Sequence, residues 1–322
     1  MPALEALRAG EGKPCLTGLH GSTAGFSLAL LTHRLPAHPF PDRSWLIVAK
    51  SDEEAERLHA DTLFFRTLLG QSGDDLACFP KWETLPYEST APHIDLVARR
   101  MRTLHRLSTT PRTVLFTSVP ALTQRVLPAL VLHDAILQFQ PNGTIERETL
   151  VSSLLRLGYQ KSSVVEIPGE FSIRGGIVDI YSTAYPDPLR VEFLGDTIES
   201  LRLFDPSTQQ STDKIKQALV LPARELIRPE DAPDALAPLT ADAEWHAPAV
   251  YGAMDSVLDY FPQPPLLVLD QPATLKAQSE TCWKAAEEGY LRHEDRSDPN
   301  PYPTPDRLYL TWDQILADTQ RC

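Results

Sequence analysis

The chain has 322 residues, a length that predicts two or three compact units. Hydrophobic residues make up 42% of it, which is enough to fill a core in each unit. Its formal net charge of -13 disfavours nonspecific nucleic-acid binding, so a phosphate-binding surface would need a local basic patch. The four cysteines match no zinc or disulfide spacing, and no run approaches the roughly 18 apolar residues of a membrane span. These features predict a soluble, cytoplasmic protein with no membrane partner.

The first 140 residues alternate β-prone runs with helical ones, which is typical of a parallel sheet with helices on its faces. Buried strands are predicted at residues 15–19, 45–49 and 113–117. Ser51, followed three residues later by Glu54, predicts the start of a helix through a capping box. The chain therefore begins with an α/β unit.

A glycine-containing loop follows the first predicted strand and precedes a helix, as a phosphate-binding loop does. A working loop ends in Gly, Lys and Ser or Thr, because lysine neutralises phosphate charge and the hydroxyl binds Mg²⁺. Here Thr23, Ala24 and Gly25 occupy those positions. With Gly18 and Gly21 they form a degenerate nucleotide loop, and tight ATP binding is not expected.

A second nucleotide motif is incomplete near the end of the chain. Residues 266–269 predict a strand that leads into Asp270, where a nucleotide hydrolase has an Asp-Glu pair. Gln271 replaces the glutamate and is unable to accept a proton from water. Since no histidine has a nucleophile elbow or metal spacing around it, we predict no catalytic residue, no metal and no cofactor.

A basic run lies on a helix predicted to begin near Pro92. It contains four arginines: Arg99, Arg100, Arg102 and Arg106. The run is a candidate for DNA contact, but apolar residues between the arginines supply a buried side, and a charged helix face is usually a solvated one. A DNA-binding module of this kind would bind duplex DNA with strong salt dependence.

The pattern changes at residue 146, where a helix to residue 156 precedes short strands, so residues 140–212 are predicted to form a separate α+β unit. Polar and apolar residues alternate over 171–174 and 189–194, which is typical of half-buried strands. Gly195 and Asp196 predict a two-residue type II′ turn. The next strand, 197–204, needs a β-bulge if Ile198 and Leu201 are both to face the core.

Two arginines, Arg174 and Arg190, are predicted on the outer face of this middle sheet. They are either a solvated face or a surface built to be bound. Weaker strand patterns return at 218–221 and 266–269. If these strands complete the first sheet, the middle unit is an insertion, which gives a division into residues 1–139, 140–212 and 213–322.

Several motifs match one known family. They are LPYE at 85–88, PHID at 92–95, FSIRGG at 171–176, RVEF at 190–193 with the glycine and aspartate that follow Leu194, and LDYFP at 258–262. Through them the chain resembles the N-terminal portion of bacterial transcription-repair coupling factors, the part that is similar to the repair protein UvrB. The match extends to about residue 275, and its middle block is the most specific part.

The resemblance implies an α/β fold, in which a degenerate helicase-like parallel-sheet domain derived from P-loop NTPases is interrupted by an inserted α+β domain that binds UvrA. It implies a non-catalytic module that delivers nucleotide-excision repair to stalled RNA polymerase, while contacts with RNA polymerase and DNA would belong to domains beyond this chain. The alternative is a UvrB-like, ATP-dependent protein that binds damaged DNA. The short segment 95–112 argues against it, because it has no room for the DNA-probing hairpin of UvrB.

The resemblance also implies the residues that contact UvrA. Arg174 and Arg190 match arginines that bind UvrA, and Glu192, Phe193 and Leu194 complete the expected contact. Leu194 departs from the phenylalanine that is more common in the family, so Phe193 is the aromatic residue that remains of the expected pair.

Overall fold

The computed structural model describes residues 14–33, 42–232, 236–293 and 301–320. The elements of the first part, in chain order, are α1 (Thr23–Leu31), β1 (Trp45–Ala49), α2 (Asp52–Leu68), β2 (Leu76–Phe79), α3 (Ile94–Thr109), β3 (Val114–Ser118), α4 (Val119–Thr123), α5 (Ala129–Ala135) and β4 (Leu137–Phe139). Within these ranges, helices and strands alternate as far as α4. The α/β character predicted for this part is therefore confirmed.

A helix and a run of strands form the middle part of the chain. They are α6 (Arg147–Arg156), β5 (Gln160–Lys161), β6 (Glu170–Arg174), β7 (Ile177–Ile180), β8 (Leu189–Leu194), β9 (Thr197–Phe204), β10 (Ser211–Lys214) and β11 (Ala218–Val220). The last part is mostly helical. It contains 3-10 turns at Ala243–His246 and Val257–Tyr260, together with α7 (Ala247–Tyr251), β12 (Leu266–Leu269), α8 (Pro272–His293), α9 (Pro305–Leu308) and α10 (Trp312–Gln320).

The first sheet has four parallel strands in the order β12, β1, β3, β2. Every residue of β1 and β3 is buried, because the apolar runs of central parallel strands are covered on both faces. The strand predicted at 266–269 joins this sheet beside β1, from the far end of the sequence. The helix after Ser51 also forms, and the Ser51 hydroxyl accepts a hydrogen bond from the backbone N–H of Glu54.

The strand predicted at residues 15–19 is wrong. Residues 14–20 have no regular secondary structure and are exposed. The backbone of Gly18 has φ +74, in the left-handed region, and this interrupts an extended run. The helix predicted after the loop does form, beginning at Thr23.

The second sheet has six strands in the order β10, β9, β8, β7, β6, β5, and all its pairs are antiparallel except β5 with β6. The predicted two-residue turn joins β8 to β9, with φ +64 at Gly195. The predicted bulge is also present, because Glu192 lies opposite Ser200 while the next residue, Phe193, lies opposite Ile198. Both Ile198 and Leu201 are consequently buried.

The strand pair of β4 and β11 connects the two sheets. Phe139 lies opposite Ala218, so the chain leaves the first part and returns to it at adjacent positions. The strand predicted at 218–221 therefore forms, but it pairs with β4 instead of joining the parallel sheet. One continuous apolar core extends from Leu46 in the first sheet to Phe171 in the second. Among the helices in the described ranges, none has the length and apolar character needed to span a membrane.

Candidate partner-binding surface

The carboxylate of Asp179 on β7 holds both predicted arginines. Strand register aligns Asp179 with Arg190 on β8, and Arg174 on β6 occupies the diagonal position on the same face. Arg190 donates from Nε to Oδ1 over 2.7 Å and from Nη2 to Oδ2 over 3.0 Å. Arg174 donates from Nη2 to Oδ2. The three side chains form one cluster, the Asp179 cluster, with two positive charges and one negative charge.

The two arginines differ in exposure, which corrects the expectation that both point to solvent. The side chain of Arg174 is 46% exposed, that of Arg190 only 12% and that of Asp179 only 1%. The Arg190 guanidinium lies 4.5 Å from the centre of the Phe204 ring, and its hydrogen bonds to Asp179 raise its pKa. Arg174 is the outer member of the cluster, and Arg190 is an inner support.

Two connecting segments explain why Arg190 is covered. Ser172 on β6 lies directly opposite Asp179 on β7. Its hydroxyl donates a hydrogen bond to the backbone oxygen of Ser163 over 3.0 Å. Gln209 accepts a hydrogen bond from Arg190 through its backbone oxygen and donates from its side chain to the backbone oxygen of Val165. Loops before β6 and after β9 thus close over part of the face that strand alternation predicted to be open.

Of the remaining predicted contact residues, two support the sheet and one lies on its surface. Glu192 accepts a hydrogen bond from the Ser200 hydroxyl on β9, and Phe193 faces the core with 8% exposure. Leu194 is 73% exposed. Because the Phe193 N–H donates to the oxygen of Gly176 over 2.7 Å, the β8 end that carries Leu194 lies beside the turn that follows Arg174. Arg174 and Leu194 are therefore at the same end of the sheet.

Sequence reasoning missed Asp179. Its one visible signal is an acidic residue between apolar ones in the strand sequence IVDI, an arrangement in which a buried carboxylate requires a partner. Sequence reasoning also missed Arg147 on α6. The Arg147 guanidinium donates a hydrogen bond to the backbone oxygen of Gly175 and thereby stabilises the turn beside Arg174.

The predicted nucleotide loop packs closely against α2. Gly25 lies so close to α2 that a Cβ added to it would be 2.3 Å from the Cβ of Asp61, so a serine or threonine has no room at this position. The Thr23 hydroxyl donates to the backbone oxygen of His20 over 2.7 Å, and Gly21 has φ +56. Ala24, in the place of the lysine, contributes no charge.

The second predicted nucleotide motif lies at the end of β12. The N–H of Asp270 donates to the oxygen of Val48 and extends the pairing of β12 with β1. Burial raises the pKa of the Asp270 carboxyl, and the charge of Glu54 raises it further. Gln271 is exposed with φ +49. In the ranges that the structure describes, no three His, Cys, Asp or Glu side chains gather closely enough to hold a metal ion.

The basic run on α3 is not one solvated face, which corrects that interpretation for Arg100. The Arg100 side chain has no exposed surface and pairs with Glu225, which is itself 4% exposed. Arg99 donates to Glu56 over 2.7 Å, and Arg102 donates to the backbone oxygen of Thr183 over 2.9 Å. The run is therefore divided: Arg100 lies in the interior, while Arg99 and Arg102 lie nearer the surface and bond to neighbouring segments.

The sequence is similar to known proteins across both sheets. A family model described as the UvrB interaction domain matches residues 137–226, which include β4, the second sheet and β11. The transcription-repair-coupling factor of Myxococcus xanthus is 31% identical over 92% of this chain and 27% of that protein. Those of Haemophilus influenzae and Bacillus subtilis are 25% and 29% identical, over 88% and 76% of this chain.

The alignments cover 27%, 27% and 24% of the three relatives, so the chain spans about a quarter of the length of the curated proteins it matches. The matched region contains both the parallel sheet and the sheet with the Asp179 cluster. The chain belongs to the transcription-repair-coupling factor family, and it corresponds to the N-terminal region that contains the UvrB interaction domain.

Proposed function

We propose that the chain is a recruitment module, which binds UvrA through the end of the second sheet that carries Arg174 and Leu194. The observation that carries this proposal is the coincidence of the UvrB interaction domain match with the Asp179 cluster. In the whole protein, binding of UvrA would deliver nucleotide-excision repair to stalled RNA polymerase in the cytoplasm. Contacts with RNA polymerase and DNA are proposed for parts of the protein beyond this chain.

The geometry supports different roles for the residues of this surface. Asp179 balances one guanidinium, so the cluster keeps one excess positive charge, and Arg174 is the exposed member that can present it to a partner carboxylate. Leu194 beside it can exclude water from such a pair. Arg190, Glu192 and Phe193 hold the sheet and its hairpin in place and act on binding indirectly.

Changing Arg174 to alanine is expected to weaken UvrA binding by about 1–3 kcal/mol, because a charge-assisted pair is lost from a half-exposed position. The stability of the chain is expected to change by less than about 1 kcal/mol. Titration calorimetry with purified UvrA measures the first quantity, and urea unfolding measures the second.

A matched control is Arg57→Ala on α2, since the Arg57 side chain is 49% exposed and also forms an ion pair, with Asp61. This variant should bind UvrA as the unchanged chain does. Equal affinities of the Arg174 and Arg57 variants would show that Arg174 does not contact UvrA.

We also propose the predicted division into residues 1–139, 140–212 and 213–322, with its second boundary moved to the segment between β10 and β11, because residue 212 lies within β10 of the second sheet. The first and last parts would form a helicase-like domain of P-loop origin. The antiparallel pair of β4 and β11 supports this division, because both crossings of the chain lie side by side there. The entry of β12 beside β1 supports it as well. The loop at Gly18 to Gly25 and the pair Asp270 and Gln271 are proposed to be degenerate, and the module to be non-catalytic.

The degenerate loop predicts that Mg²⁺ and ATP together leave the melting temperature of the chain unchanged. A nucleotide at 100 times its dissociation constant would stabilise the fold by about 2.7 kcal/mol, which a thermal melt detects. Melts with ATP and Mg²⁺, compared with ATP and EDTA, test the proposal. A rise in melting temperature that depends on Mg²⁺ would instead favour the UvrB-like, ATP-dependent alternative.

A further inference from the structure

A second, separate feature lies on the parallel-sheet side of the molecule. A cavity of about 570 Å³ opens between α2, α3 and the edge strand β2. Its polar lining consists of Glu56, His59, Cys78, Arg99, Arg102, Thr103 and Arg106. This volume falls within the roughly 300–1,000 Å³ typical of small-molecule sites.

Helical spacing explains why three arginines meet in this cavity. Arg99, Arg102 and Arg106 are three and four residues apart on α3, so they lie on one face of the helix. The opposite side of α3 holds Met101 and Leu104 in the core, which fixes the orientation of that face. The sequence run contributes three side chains to the cavity and one, Arg100, to the interior.

The cavity carries more positive charge than its own acidic group can balance. Glu56 is the one carboxylate in the lining, and it accepts a hydrogen bond from Arg99. Arg102 has a backbone oxygen as its partner, and the Nε of Arg106 is buried with no hydrogen-bond partner in the described part of the chain. Burial lowers the pKa of Arg102 and the nearby charge of Arg99 lowers it further, against a smaller opposite effect of Asp95. An uncompensated guanidinium in such a site is stabilised by an anion.

The other titratable groups in the cavity do not supply that anion. Burial raises the pKa of the Cys78 thiol to about 11, so the thiol stays protonated at neutral pH. Burial and the charge of Arg99 lower the pKa of His59, so its imidazole is neutral there. Neutral donors beside guanidinium groups suit an oxyanion.

We propose that this cavity binds the phosphate group of a small phosphorylated molecule. The planar forks of Arg102 and Arg106 match phosphate oxygens. Inorganic pyrophosphate, the phosphates of a free nucleotide and a nucleic-acid backbone share this chemistry. The site is distinct from the Asp179 cluster and does not depend on UvrA binding.

Calorimetric titration of the full chain with inorganic pyrophosphate tests the proposal. The expected result is saturable binding of one pyrophosphate, weakened at least about tenfold by Arg106→Ala. The control is Arg292→Ala on α8, an exposed arginine away from the cavity, which should change affinity by less than about twofold. Absence of saturation at about 10 mM pyrophosphate, or equal affinities of the two variants, would overturn the proposal.

A second variant separates binding from folding. Glu56→Gln removes the carboxylate that competes for Arg99, so it is expected to tighten pyrophosphate binding by about threefold or more. Damage to the fold has the opposite effect, and unchanged or weaker binding by this variant would contradict the charge argument. A single-stranded oligonucleotide that binds much more tightly than pyrophosphate, with the same dependence on Arg106, would assign the phosphate to a nucleic-acid backbone.

Discussion

Replacement of Glu225 by alanine is expected to lower the free energy of unfolding by about 3–5 kcal/mol. Glu225 follows β11, and its carboxylate pairs with Arg100 on α3, whose side chain has no exposed surface. It also accepts a 2.8 Å hydrogen bond from the indole N–H of Trp82. Without the carboxylate, the Arg100 guanidinium keeps its hydrogen bonds to Pro80 and Gln124 but loses its charge partner, and the indole N–H of Trp82 loses its acceptor, while both groups stay buried. The desolvation cost of both groups then acts against the folded state.

Urea unfolding of the unchanged chain and of two variants measures this effect. The matched control is Glu230→Ala, because Glu230 also pairs with an arginine, Arg156, but is 82% exposed. An exposed pair of this kind contributes about 0–1 kcal/mol. If the two variants lose similar free energies of unfolding, burial does not strengthen the pair of Glu225 with Arg100. A much larger loss for Glu225→Ala would show that the pair stabilises the contact between α3 and the segment after the second sheet.

Replacement of Asp179 by alanine is expected to cost about 3 kcal/mol of stability and, in addition, to weaken UvrA binding at least about tenfold. The stability falls because Arg190, 12% exposed, loses its carboxylate while it stays largely buried. The affinity falls because Arg174 loses the hydrogen bond that orients it. Unfolding experiments and UvrA titration at a temperature where the variant is folded measure the two effects separately.

A double variant distinguishes the structural role of the Asp179 cluster from its role in binding. Asp179→Ala combined with Arg190→Met removes both buried charges, and replacing both partners by apolar groups is often close to neutral for stability. We expect this variant to regain most of the stability while UvrA binding stays weak, since Arg174 still lacks its support. Recovery of full affinity together with stability would mean that Asp179 acts on binding only through folding.

Local patterns in the sequence predicted the second sheet well. The turn at Gly195 follows from residue preference, because glycine reaches φ +64 at little cost. The bulge follows from the spacing of two apolar residues, since Ile198 and Leu201 share a face of the sheet only if one extra residue lies between them. The strands at Trp45–Ala49 and Leu266–Leu269 were equally visible as short apolar runs. All these features depend on neighbours within a few residues.

The features that sequence reasoning missed depend on distant segments. Alternation indicates which way Arg190 points from its strand, but loops from elsewhere in the chain then cover it. The burial of Arg100 depends on Glu225, which lies more than a hundred residues further along the chain. The strand predicted at 15–19 had the right residue types but no partner strand in the described structure. A single sequence does not show which distant segments contact one another in the fold.

The place of β12 beside β1 also has a consequence for the synthesis of the protein. About 150 residues separate the end of β3 at Ser118 from the start of β12 at Leu266. A ribosome needs about 7–30 s for that length, and in this interval the second sheet is completed while the edge of β1 has no partner. An open apolar edge is where nascent chains associate with one another. Weaker pairing of residues 266–269 should therefore reduce the yield of soluble protein before it alters any binding surface.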